Sequence, residues 1–70
     1  MMTNLDILIR FLDRQLKYAD GIFGSPKVAF DQAFGGLQLF CELNPDLEKE
    51  VADLWYDKYK PQFEKIVYGV

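Results

Sequence analysis

SPKVAFDQAFGGLQLFCEL, residues 25–43, is the stretch that decides the fold class. Ser25 and Pro26 open it with a helix-start signal: serine accepts a hydrogen bond from a free backbone N–H, and proline, which has none, fits the first helical position. Behind them Ala29, Phe30, Ala33, Phe34, Leu37, Phe40 and Cys41 recur at three- and four-residue spacing on one broad face. Lys27, Asp31, Gln38 and Glu42 gather on the other. A helix from about Pro26 to Leu43 follows. Gly35-Gly36 sits in its middle, where two glycines cost about 2 kcal/mol relative to alanine, so the pair predicts a bend or the close approach of another helix.

Working back toward the N-terminus, Thr3 or Asn4 can cap a helix whose apolar residues Leu5, Leu8, Ile9, Leu12, Leu16 and Ala19 repeat the same period. Asp6 with Arg10 and Asp13 with Lys17 are acid-to-base pairs at i,i+4 on the side expected to face water. Gly21 ends that helix, and Gly21-Ile22-Phe23-Gly24 reads as the loop into the next. Working forward, Asn44-Pro45 repeats the cap-then-proline signal, and Asp46 and Glu48 suit the partially positive start of a helix. Leu47, Val51, Leu54, Trp55 and Tyr59 form the third stripe. Pro61 removes a backbone donor and crowds the preceding turn, so the pattern should kink or restart there, with Phe63, Ile66 and Val67 continuing it in a last short helix. The expected fold is all-α: a small three-helix bundle, residues 1–70 forming a single helical domain, with the C-terminal helix kinked or broken after Pro61. The chain has no internal repeat, low-complexity stretch or flexible linker.

Composition narrows the function classes. Seventy residues leave room for one small domain, and 50% apolar with 27% charged residues is the balance of a globular protein. Eight Lys plus Arg against eleven Asp plus Glu give a net charge of −3. Nucleic-acid and anionic-membrane binders need a surplus of cations, so neither partner is expected. A single cysteine forms no internal disulfide, which suits the reducing cytoplasm. Asp6, Arg10, Asp13, Arg14 and Lys17 interrupt any signal-peptide core, and residues 32–41, the longest charge-free run, are too few to span a bilayer. A cytoplasmic protein is expected.

The same arithmetic argues against catalysis. With no histidine there is no Ser-His-Asp or Cys-His mechanism and no favoured zinc ligand. Cys41 lies on the apolar face of its helix, where a thiol packs rather than reacts. Asp46, Glu48, Glu50 and Asp53 are the densest acidic cluster, but their spacing spreads them around a helix and suits the helix dipole better than a metal. Gly21-x-x-Gly24-Ser25-Pro26 lacks the preceding strand and Gly-Lys-Ser/Thr of a phosphate loop. No catalytic, cofactor-binding or metal-binding residue is assigned, and the chain is expected not to be an enzyme.

What stands out is surplus hydrophobicity. Six Phe, four Tyr and one Trp are many for so small an interior. Ile7, Phe11 and Tyr18 make a second apolar patch beside the main stripe of the first helix, and the second helix is equally broad. Contiguous apolar surface marks an association site. The expected function is therefore non-catalytic protein–protein association as a homodimer, with Ile7, Phe11, Tyr18, Val28 and Leu39 as the surface, a role suited to a small bacterial or mobile-element accessory protein. Two alternatives remain open. One is a small apolar ligand held among Phe30, Phe34, Phe40, Trp55, Tyr56 and Tyr59. The other is an acidic inhibitor of a basic partner.

Overall fold

Thr3 opens the first helix, α1 (Asn4–Ala19), with a reciprocal cap: its Oγ1 accepts from the Asp6 amide at 3.1 Å, and the Asp6 carboxylate accepts from the Thr3 amide at 3.0 Å. The computed structural model describes residues 1–21 and 25–69, so the predicted loop at residues 22–24 lies outside the described residues. Ser25 caps α2 (Pro26–Leu43) by accepting from the Val28 amide, with Pro26 in the first turn. A 3₁₀ turn (Pro45–Leu47) leads into α3 (Glu48–Leu54), a π turn (Trp55–Tyr59) and α4 (Lys60–Tyr68). The third helix is thus one run over residues 48–68, broken in its hydrogen bonding. Gly69, at φ 73°, closes α4 in the left-handed conformation that a Cβ disfavours. The protein is an all-α three-helix bundle; 88% of the described residues are helical, and there is no strand among them.

Asn44 departs from the cap expected of it. It makes no side-chain cap. Its Nδ2 donates back to the Phe40 carbonyl at 3.1 Å, and its Oδ1 accepts from Asn4 Nδ2 at 3.0 Å. That bond ties the start of α1 to the end of α2, as the antiparallel packing of the two helices brings them together. Further along the same register, Phe11 lies over Gly36: a Cβ on Gly36 would stand 2.6 Å from Phe11 Cζ and closer still to Cε2. The glycine pair therefore marks a close approach at Gly36, while Gly35 faces open space.

The third helix lies across this hairpin and completes a single core. Leu8, Leu12 and Ala19 from α1, Ala29, Ala33 and Leu37 from α2, and Val51, Trp55, Tyr59 and Phe63 from the third helix are all buried. Phe30 stacks on Phe63, their centroids 5.4 Å apart, and Trp55 sits 5.8–5.9 Å from Phe30, Phe34 and Phe63. Buried positions 51, 55, 59 and 63 repeat every four residues, a spacing that outruns a 3.6-residue helix by about 40° a step. The wider π turn, in which the Lys60 amide bonds the Trp55 carbonyl, takes up that excess and keeps the stripe facing the core. The irregularity thus occupies the turn before Pro61, whose missing N–H and bulky ring already weaken the α-helical ladder.

Neither predicted ion pair on α1 forms. Asp6 is engaged in the cap, which holds its carboxyl below the usual carboxylate range through the Thr3 backbone and side-chain bonds. Asp13 accepts from the Tyr59 hydroxyl at 2.6 Å. Arg10 Nη1 stands 3.1 Å from Met2 Sδ. Among the described residues the ion pair that forms is Lys27 with Asp31, at 3.2 Å on the exposed side of α2. No described helix is long and apolar enough to cross a membrane.

Candidate functional site

The antiparallel register gathers the surplus apolar side chains on the side of the α1/α2 hairpin turned away from the third helix. Positions 7, 11 and 18 share one side of α1, and 28, 39 and 43 one side of α2, as their helical spacing requires. Ile7, Phe11, Gly36, Leu39, Phe40 and Leu43 line a shallow depression of about 320 Å³ between the helices, floored by Leu8 and without a charged side chain in its wall. Ile7 and Leu39 are more than half exposed, and Leu43, at 73%, is among the described residues the most exposed large apolar side chain after Met1. Arg10 and Arg14 rim the α1 side. Tyr18 and Val28, both about half exposed, continue the face toward the other end of the hairpin.

Of the five residues expected to form an association surface, Ile7, Tyr18, Val28 and Leu39 are free at the surface, and Phe11 is half-buried. The Phe11 ring rests on Gly36 within the α1–α2 contact, so it supports the monomer while offering an edge to the face. Leu43 and Met2 were not anticipated. Leu43 stands four residues beyond Leu39 and shares its side of the helix, a spacing that pointed to it.

A second concavity lies between α2 and the third helix, on another side of the molecule. Leu37, Val51 and Trp55 form its floor, Phe34, Gln38 and Tyr56 one end, and Cys41, Glu42, Pro45 and Glu48 the other, around about 520 Å³. The cleft continues past Phe34 and Tyr56 toward Asp31 and Lys60. Three of the six aromatics considered for a ligand pocket, Phe34, Trp55 and Tyr56, meet there, and Phe30 lines the continuation. Phe40 faces the hairpin depression instead, and Tyr59 is fully buried. Burial raises the Tyr59 phenol well above its ordinary range, and the Asp13 carboxylate on its hydroxyl adds to the effect.

Cys41 is less enclosed than its place on the apolar face suggests: it is half-buried and lines the cleft. Desolvation, helped by the nearby Glu48 carboxylate, pushes its thiol pKa upward and leaves it a poor nucleophile. Among the described residues no three His, Cys, Asp or Glu side chains converge as a metal site would need. No family model, curated protein or solved structure matches the chain.

Proposed function

We propose that this chain is a non-catalytic protein–protein association module, working in the cytosol, that pairs with a second copy of itself through the outer face of the α1/α2 hairpin. The observation that carries the reading is the uncharged, exposed apolar strip formed by Ile7, Leu39 and Leu43 around the Phe11 edge. A chain with net charge −3 repels its copy at most orientations. This strip is a region where two copies meet without setting like charges together, which is what a two-fold, self-complementary contact requires. The polar rim supplied by Arg10 and Arg14 matches the usual arrangement of a dry centre and a wet edge.

Sedimentation equilibrium at micromolar concentration tests it. The wild-type chain should sediment as a dimer, and Leu39→Glu should sediment as a monomer with unchanged helix content, because Leu39 is 58% exposed and a charge there is costly only inside a dry interface. Leu39 is the better probe than Phe11, whose loss would also disturb the packing on Gly36. A monomeric wild-type chain, or a Leu39→Glu variant that still dimerises, would refute the reading.

A further inference from the structure

We infer that the cleft between α2 and the third helix binds a small organic cation: an apolar or aromatic body carrying an ammonium group. Three features of the cleft converge on that class.

The first is size and floor. About 520 Å³ lies within the range of small-molecule sites, and Leu37, Val51 and Trp55 make the bottom apolar. The second is charge. The ionisable walls at the Pro45 end are the Glu42 and Glu48 carboxylates and the raised-pKa Cys41 thiol, and no Lys or Arg lines this part of the cleft. Both carboxylates stand exposed at the rim, where they repel an anion and attract an ammonium group, while a neutral guest gains nothing from them.

The third feature is the aromatic wall. Phe34 and Tyr56 are exposed in the cleft and offer ring faces to the guest's apolar body, while Lys60, its Nζ 5.3 Å from the Tyr56 ring centroid, keeps a second cation away from that end. Lys60 and Asp31 stand at the far end of the cleft. The electrostatics therefore orient the guest, with its ammonium toward Glu42 and Glu48 and its apolar body over Trp55 and against Phe34 and Tyr56. The Cys41 sulfur lies beside the position of the ammonium, and as the chain's single thiol it reports on occupancy.

The test uses benzyltrimethylammonium at millimolar concentration, with benzyl alcohol and phenylacetate as neutral and anionic counterparts. The expected result is that the cation changes Trp55 emission and slows alkylation of Cys41 by iodoacetamide several-fold, its body covering the sulfur and outweighing the gain in thiolate that its charge alone would bring, while phenylacetate does neither. Glu42→Gln with Glu48→Gln, both at exposed positions, should weaken the cation about ten-fold, remove its advantage over benzyl alcohol and leave helix content unchanged. Equal protection by cation and anion overturns the inference, as does an unaltered affinity in the double glutamine variant or the absence of any protection. Protection that grows with protein concentration alone would assign the cleft to a second copy. Protection by an amphipathic Leu-Lys peptide but not by the small cation would assign it to a helical partner. Leu39→Glu leaves this cleft untouched, so loss of the dimer and loss of cation binding are separable.

Discussion

Adjacent glycines in one helix have opposite environments here, and a single methyl group distinguishes them. Nothing approaches a Cβ at Gly35, so Gly35→Ala should stabilise by about 0.5–1 kcal/mol through helix propensity and a less free unfolded chain. The same change at Gly36 drives into the Phe11 ring and should leave the protein about 1–3 kcal/mol less stable than the Gly35 variant in urea unfolding. Truncating Phe11 to Ala alongside should erase that difference. Tyr59 offers a second test at this scale. The folded chain keeps its phenol proton above the ordinary pKa of 10.0 because burial and the Asp13 carboxylate both oppose the phenolate, while the unfolded chain releases it there. The stabilisation is complete below about pH 10 and is lost as pH rises through the folded value. Denaturation followed from pH 8 to 11 should show that loss, and Tyr59→Phe should flatten it while costing about 1.5 kcal/mol for the bond to Asp13. The close approach at the glycine pair was legible in the sequence, but the Tyr59 bond was not, because Asp13 reads there as half of an i,i+4 pair with Lys17. The partner that claims it is 46 residues away, and local spacing carries no trace of such a contact.

The helices themselves were legible because each carries its own stripe and start signal, and these local features agree with the tertiary result. Thr3 and Ser25 cap as their types predict. Asn44 does not, since α1 ends up close enough for Asn4 to recruit its side chain. In the third helix Pro61 advertised a break, but the strict four-residue spacing of Val51, Trp55, Tyr59 and Phe63 is the signal that places it upstream as a π turn. A π turn holds one residue more than an α turn without changing the faces on either side. Removing one exposed residue within it, Asp57, would leave buried positions spaced four, three and four, an ordinary α-helical stripe. Proline would then stand inside a regular helix at a cost of about 3 kcal/mol. Asp57 deletion combined with Pro61→Ala should therefore preserve helix content and the blue-shifted emission of buried Trp55, whereas the deletion alone should be markedly less stable. Deleting exposed Asp31 from the regular α2 turns every later core residue by about 100°, and that variant should not fold. Loss of structure in the Asp57/Pro61 double variant would show that the π turn does not act as a register correction.

For the whole molecule, the question is where the apolar surplus goes, and only part of that answer lay in the sequence. The helical wheel placed Ile7, Phe11 and Tyr18 together, yet it could not show that Phe11 settles on Gly36 or that α2 brings Leu39 and Leu43 alongside, because both depend on the antiparallel register. The cleft beside Trp55 was legible only in part: Phe34, Trp55 and Tyr56 read as lining for an apolar ligand, but its acidic end joins Glu42, which reads as the polar face of α2, to Glu48, which reads as a helix start. Shape now gives the pairing a geometric test. The single chain has a radius of gyration of 12.0 Å and extents of 34 × 22 × 18 Å. In a two-fold dimer the squared radius grows by the square of half the distance between the copies' centres. Copies joined through the flat outer side of the hairpin stand one bundle thickness apart, 18–22 Å, which gives a dimer radius of about 15–16 Å. Copies joined end to end along the 34 Å axis would instead reach about 21 Å. Solution scattering at micromolar concentration should return the smaller dimer value, and Leu39→Glu should return it to that of the single chain. A radius near 21 Å would move the contact from the hairpin face to the ends of the bundle, where Ile7, Leu39 and Leu43 would be left in water and the association reading would lose the surface on which it stands.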